Sequence, residues 1–312
     1  METSSGHLTR CAATRLIVGT GASFLLSSTV NAADKTDEIQ MRAIPSTGEK
    51  LPVVGLGSWR TFDVGESAAE RAPLKEVLRR FVQLGGKVID SSPMYGRAEA
   101  VIGDLTAKLQ LRDQLFLATK VWTTGRQAGI DSMERSLSRL RTKRLDLMQV
   151  HNLVDLETQL ATLRAWKEEG RIRYLGITHY TDSAFPEVEE ILRREKLDFL
   201  QINYSIDDRA ADERILALAR ERGVAVLINR PFASGGLFRR VRAKPMPERA
   251  AEFDCKSWAQ LFLKWIVANP AVTCAIPATG KVAHLEDNMA AGRGRLPEEK
   301  MRARMVQLLA AA

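Results

Sequence analysis

The sequence predicts a single α/β domain, a (β/α)8 TIM barrel with an N-terminal β-hairpin and a C-terminal helix. Three observations carry that prediction. From Val53 onward, short β-branched-rich runs alternate eight times with amphipathic stretches of helical period. Glycine stands where several of those helices should stop, at Gly85-Gly86, Gly170 and Gly223, the place for a left-handed residue. No break in composition marks a second domain, and 312 residues is an ordinary size for one such barrel.

Taken in order, the chain opens on a segment unlike the rest. Arg10 and Arg15 precede a weakly apolar stretch, 16–30, and Val30-Asn31-Ala32 has the small-residue pattern of a signal-peptidase site. Residues 1–33 are therefore expected to be a removable signal peptide and the protein exported or periplasmic; a leader that does not function would leave it cytoplasmic. The stretch is too short and too polar for a membrane span, so no stable membrane insertion is expected. No arginine pair supports a twin-arginine route.

Residues 34–40 read as a charged linker and 41–312 as the barrel. A hairpin over 41–54 turns at Pro45-Ser46-Thr47-Gly48. Barrel strands are predicted at 53–57, 88–90, 115–120, 145–151, 174–178, 199–203, 225–228 and 274–276. The helices between them fall at 68–84, 98–109, 130–140, 156–169, 185–194, 212–222, 258–268 and 284–290. The stretch 233–256, rich in Arg, Pro and Gly, reads as an extended loop over the top of the barrel, where ligand sites live.

Charge narrows the function classes. Forty-six basic residues against 38 acidic leave a net +8, which can help attract an anionic ligand. The basic residues are interleaved with acidic ones along the helices, so no nucleic-acid partner is expected. Of three cysteines, Cys11 lies in the leader and Cys274 in a predicted strand, where it reads as a small buried hydrophobe. With Cys255 they form neither a disulfide scaffold nor a metal-ligand spacing, and no metal is expected.

The chemistry-bearing residues collect at strand ends. Asp90 closes the run Val88-Ile89, and Tyr95 follows across a Ser-Ser-Pro turn; Lys120 closes 115–120 and His151 closes 145–151. Singly, each has a bland reading: Asp90 caps a turn, Lys120 is solvated at a strand end, His151 is a rim histidine. Together, on three successive strand ends of one face, they form a proton-delivery set. A phenol is a poor acid at neutral pH, and an ammonium held beside it by Asp90 should lower its pKa toward the working range. His151 could hydrogen-bond a carbonyl oxygen and orient it, so the set fits proton transfer to an oxygen as hydride reaches carbon.

Gly55-Leu56-Gly57-Ser58-Trp59, Asp90 to Tyr95, Lys120, Asp146-Leu147 to His151 and Ile276-Pro277 to Asn288 resemble, in order and spacing, the aldo/keto reductases over roughly 41–292. The resemblance implies an oxidoreductase that uses NADPH in preference to NADH, without metal or flavin. Tyr95 is then the proton donor, Lys120 and Asp90 its tuning pair, and His151 the carbonyl-orienting group. It also implies cofactor contacts from Ser58, Trp59, Asp90, Thr178, His179, Gln201, Asn229, Arg230, Thr279, Lys281, His284, Asp287 and Asn288. Several of these depart from the family pattern. His179 stands in place of the second residue of a Ser-Asn pair, and Asn229 in place of an aromatic that stacks on the nicotinamide. Ala278 and His284 occupy positions where relatives place Lys and Arg around the 2′-phosphate.

The expected function is NADPH-dependent reduction of an aldehyde or ketone to an alcohol, on a small-molecule substrate the sequence does not name. The alternative is a dinucleotide-binding, redox-sensing barrel with little turnover. Trp59 and Trp122, at strand ends, are candidate substrate contacts; Trp166, Trp258 and Trp265 lie at helical positions and read as packing. Oligomeric state has no signature in the sequence.

Overall fold

The structure, a computed structural model, describes residues 38–311. The expected leader and most of the expected linker, 1–37, lie outside the described residues. Strands β1 (Met41–Ala43) and β2 (Lys50–Pro52) pair antiparallel, Met41 against Pro52, and form the predicted hairpin. Gly48, at φ 77°, closes its turn by donating to the Ile44 carbonyl at 2.8 Å.

Eight strands then form one parallel sheet: β3 (Leu56–Gly57), β4 (Val88–Asp90), β5 (Phe116–Val121), β6 (Leu145–His151), β7 (Ile172–Thr178), β8 (Phe199–Asn203), β9 (Ala225–Asn229) and β10 (Cys274–Ala275). Neighbours in sequence are neighbours in the sheet, and parallel bridges Val54–Ala275 and Gly57–Ala278 join its two edges into a barrel. Between the strands run α1 (Ala68–Gln83), α2 (Ala98–Lys108), α3 (Arg126–Arg139), α4 (Leu156–Glu168), α5 (Phe185–Arg194), α6 (Ile215–Glu221), α7 (Gly236–Val241) and α8 (Trp258–Val267), and α9 (Val282–Ala290) and α10 (Glu299–Ala311) follow the last strand. Ser67 and Glu70 cap α1 reciprocally: the Glu70 N–H donates to Ser67 Oγ at 3.2 Å, and that hydroxyl donates to Glu70 Oε2 at 2.6 Å. Gly85, Gly170 and Gly223 all have positive φ just past their helices, as predicted.

Two cores follow from the period of two along each strand. Outward residues such as Ile89, Leu117, Met148, Val150 and Ile177 pack under the helices. Inward residues at the lower ends, Val88, Phe116, Leu147, Tyr174, Phe199 and Leu227, fill the barrel, and Ile44 and Leu51 of the hairpin join that cluster. The hairpin therefore plugs the N-terminal mouth. It is tied there by Glu49, which accepts from Arg173 and, at 2.6 Å, from the Tyr174 hydroxyl. Higher on the same inward rows the residues turn polar: Asp90 above Val88, Lys120 above Ala118, Gln149 and His151 above Leu147, Gln201 and Asn203 above Phe199, Asn229 above Leu227.

Four elements differ from their predicted extents by three residues or more. The 233–256 stretch is not an open loop, since it holds α7 and 3₁₀ turns at Ala233–Gly235 and Glu248–Phe253. Leu237 with Val241, and Ala250 with Phe253, bury at helical spacing and anchor it. Helix α3 begins at Arg126, ahead of the predicted residue 130, because its first turn is polar and carries no apolar period. Residues 53–55 join the barrel through the Val54–Ala275 bridge rather than a full ladder, so β3 is only Leu56–Gly57. The segment before α6 is a 3₁₀ turn, Ala210–Asp212. Among the described residues, no helix is long and apolar enough to cross a membrane.

Gly103 in α2 is where backbone meets backbone. A Cβ built there would lie 2.0 Å from the Arg139 carbonyl oxygen at the end of α3. Gly103→Ala is therefore expected to lower stability by about 1–3 kcal/mol, the range typical of overpacking. Urea unfolding of the purified variant checks it; an unchanged midpoint would mean that α2 and α3 can separate at no cost.

Candidate active site

Strand register brings the four candidate groups to one end. Asp90 lies opposite Ala118 in the β4–β5 ladder, Lys120 opposite Gln149 in β5–β6, and His151 opposite Thr178 in β6–β7. Each ends an inward row, so their side chains meet inside the C-terminal mouth of the barrel. Lys120 Nζ donates to Asp90 Oδ2 at 2.6 Å and to the Ser91 carbonyl at 2.6 Å. Both side chains are almost fully buried, at 1% and 4% exposure, so the ion pair has no water to replace it. The second Asp90 oxygen accepts from Gln201 Nε2 at 2.7 Å and Gln149 Nε2 at 3.3 Å. Gln201 is oriented in turn by the Thr178 hydroxyl, which donates to its Oε1 at 3.1 Å.

Tyr95 leaves the loop after β4 and turns its ring toward this pair. Lys120 Nζ lies 5.1 Å from the ring centroid, and the His151 ring meets it edge-on, centroids 6.3 Å apart at 86°. Ser92 Oγ sits 3.2 Å from His151 Nδ1. Ser58, at the end of β3, donates from Oγ to Ser91 Oγ at 3.0 Å and so braces the turn that carries Ser92 and Tyr95.

The electrostatics correct one expectation. Lys120 does pull the phenol's pKa down, through charge and hydrogen bonding, but burial outweighs it and the Asp90 charge adds to burial. The net shift of Tyr95 is upward, so the phenol holds its proton throughout the neutral range. Burial works against the Lys120 ammonium, yet Asp90 and Tyr95 more than offset it and raise its pKa. His151 falls from 6.5 to about 3, chiefly by burial and then by the charges of Lys120 and His179. The set is thus a protonated phenol, a charged lysine paired with aspartate, and a neutral imidazole.

Of the remaining candidates, some stand at the rim and others are committed elsewhere. Trp59 and Trp122 are exposed there, at 44% and 46%, and Tyr180, also exposed, stacks on His179 with rings 7° apart. Burial lowers the His179 pKa. Asn229 Nδ2 donates to the His179 carbonyl at 3.0 Å. Arg230, with φ 50°, donates to the Tyr180 carbonyl at 3.0 Å and to Ser234 Oγ at 3.1 Å. At the start of α9, Thr279 Oγ1 accepts the Lys281 N–H at 3.1 Å, while Lys281 and His284 are exposed and Asn288 is buried. Asp287 is engaged within the fold: both its oxygens accept from Ser257 Oγ, at 2.8 and 2.7 Å, and one also from Gln260. It holds the start of α8.

Sequence reasoning missed Gln149 and Ser92. Counting back two residues from His151 along the inward row would have found Gln149. Ser92 has no such signal, because its contact depends on the shape of a turn. A cleft of about 720 Å³ opens at the opposite end beside the hairpin among Lys87, Arg112, Lys143 and Arg173, and none of the four groups lines it.

A family model described as the aldo/keto reductase family matches residues 53–305. The chain belongs to that family. Methylglyoxal reductase YeaE of Escherichia coli is 30% identical over 260 residues, covering 81% of this chain and 89% of that protein. The NADP-dependent D-sorbitol-6-phosphate dehydrogenase of Malus domestica is 24% identical over 298 residues, covering 82% and 90%. Among solved structures, an aldo/keto reductase from Klebsiella pneumoniae in complex with NADP and acetate is 26% identical with a TM-score of 0.69, over 84% of this chain and 93% of that one.

In this aldo/keto reductase the depressed pKa of His151 ties stability to acid with a definite sign. Between pH 6.5 and about 3 the unfolded chain binds a proton at this imidazole that the folded chain does not. Stability therefore falls as pH drops through that window, by up to about 1.4 kcal/mol per pH unit from this group, and is untouched above it. His151→Gln should lose less stability than the parent between pH 7 and pH 5, read as the change in urea midpoint. Parallel losses in the two proteins would show that the folded imidazole titrates normally.

Proposed function

We propose that this protein is an NADP-dependent oxidoreductase that reduces an aldehyde or ketone to the alcohol, with Tyr95 as general acid. The observation that carries the reading is the buried Lys120–Asp90 pair beside a protonated phenol and a neutral imidazole, all at one mouth of the barrel. Family membership supports it, as do the NADP named with the Klebsiella structure and with the apple dehydrogenase.

Fit to the dinucleotide is testable on the chain's own atoms. Asn203 Oδ1 and Asn229 Oδ1, at the ends of β8 and β9, are buried acceptors with no partner. They stand on the inward rows beside Thr178 and Gln201, where an amide donor would satisfy them. Asn229, Asn203 and Thr178 would hold the nicotinamide end; Thr279 and Lys281, at the start of α9, would meet phosphate. Arg230 would add a cation on the rim. When bound, NADPH supplies the hydride.

The protein's part is to hold the carbonyl and deliver a proton. The His151 imidazole, neutral at working pH, binds the carbonyl oxygen without protonating it. The Tyr95 phenol donates its proton to that oxygen as negative charge builds there. Lys120 stabilises the phenolate left behind, and Asp90 keeps the ammonium charged and fixed so that nothing reorganises during transfer. Trp59 and Trp122 give the substrate apolar surface at the mouth. The acidic shift that phenolate formation demands is met by proximity to the ammonium, not by a phenol already deprotonated.

Tyr95→Phe should lose about 10²–10⁴-fold in NADPH-dependent carbonyl reduction. NADPH binding, followed by fluorescence titration, should persist. Full activity in that variant would remove the assigned acid. A parent protein that binds NADPH but oxidises none across a panel of aldehydes and ketones would favour the redox-sensing barrel. We also propose that residues 1–33 are a cleaved leader ahead of a single domain; N-terminal sequencing of the native protein reads whether the chain starts after Ala32.

A further inference from the structure

We propose that Ser92 is a positioning residue that fixes which nitrogen of His151 carries the ring proton. The inference rests on the reductase reading for its consequence, but on the turn's geometry for its content.

Ser92 is fully buried, and its hydroxyl oxygen has two neighbours within hydrogen-bond reach. The Met94 backbone N–H donates to it at 3.4 Å. That bond uses the oxygen as acceptor and leaves its own hydrogen free. His151 Nδ1, 3.2 Å away, is where that hydrogen can go. Burial and the adjacent Lys120 ammonium keep the imidazole neutral, so one of its nitrogens must accept and the other must donate. If the serine donates to Nδ1, the ring proton sits on Nε2. The donor of His151 is then the nitrogen remote from the turn, free for a carbonyl oxygen. The other tautomer would place two hydrogens between Ser92 Oγ and Nδ1 unless the hydroxyl turned away, and would leave Nε2 as an acceptor facing the substrate's own acceptor.

Ser92 touches neither substrate nor cofactor in this account. Its effect passes through His151 alone, which distinguishes it from Tyr95. The Ser58–Ser91 bond, at 3.0 Å, holds the preceding residue of the same turn, so the serine hydroxyl is presented from a braced backbone rather than a loose loop.

The test is nitrogen-15 NMR of the imidazoles at pH 7, with His151→Gln assigning the signal among the four histidines of the chain. The parent should show His151 as the Nε2–H tautomer. Ser92→Ala should show a mixture or the Nδ1–H form, in protein that still melts in a single cooperative transition. Its kcat for carbonyl reduction should fall about tenfold, the worth of one orienting hydrogen bond, while the affinity for NADPH stays the same. An Nδ1–H signal in the parent, or an unaltered tautomer in Ser92→Ala, overturns the proposal. Because the parent spectrum needs no substitution, a variant that fails to fold does not shelter it. If no carbonyl is turned over, the reductase reading fails while the tautomer result still decides the role of Ser92.

Discussion

The buried ion pair between Lys120 and Asp90 is the constraint around which the upper half of this barrel is arranged. Taking two charges out of water costs several kcal/mol for each ion, and their attraction repays that only when every remaining hydrogen-bonding valence is filled. Three further groups bond the pair here. The Ser91 carbonyl takes a second Lys120 proton, and the free Asp90 oxygen accepts from Gln201 and Gln149. Thr178 then holds Gln201 from the far side. Polar groups from five strands, β4 to β8, are thus tied into one network around a single carboxylate. A stable fold alone would be served as well by leucine and methionine at these positions, so a charged pair here is a commitment to chemistry rather than to cohesion.

That commitment is affordable because the barrel separates its two tasks by height. Along each inward row the lower residue is apolar and the upper one polar, so cohesion is concentrated near the plugged end and reactivity near the open one. The hairpin completes the division by covering the apolar floor with Ile44 and Leu51 and anchoring through Glu49. Polar groups in the upper layer are therefore packed on a rigid base, which keeps a site of this kind within the tolerances that proton transfer requires.

This vertical ordering also explains what was legible in the sequence. Alternation of period two and period 3.6 carried the barrel, and a strand ending in Asp90, Lys120 or His151 announced where the candidate site lay, since an inward polar residue at a strand's C-terminal end has few structural uses. Polar first turns hid the start of α3, and apolar pairs at helical spacing inside 233–256 were masked by the surrounding Arg, Pro and Gly. The sign of the Tyr95 shift was illegible for a different reason. A sequence shows that a cation is near a phenol but not how much water is lost from both, and here desolvation decides. The partners of Asp287 were illegible on similar grounds: the helix it belongs to was placed, but its neighbours Ser257 and Gln260 come from across the fold.

On the proposed assignment of Tyr95 as general acid, its upward shift bears on how that acid works. A phenol whose pKa is already low would be partly ionised and would have no proton to give in a share of the molecules. A phenol held protonated by burial is always loaded, and its reluctance to ionise is overcome only when an oxygen that is gaining charge comes within reach. At that moment the ammonium of Lys120 stabilises the phenolate, in surroundings where water cannot screen the attraction. His151 supports the same logic by staying neutral: a charged imidazole beside Tyr95 would compete for the carbonyl's proton position and repel Lys120. On that assignment the site gives one proton to one donor, and it does so by desolvating both rings, His151 nearly completely and Tyr95 in part.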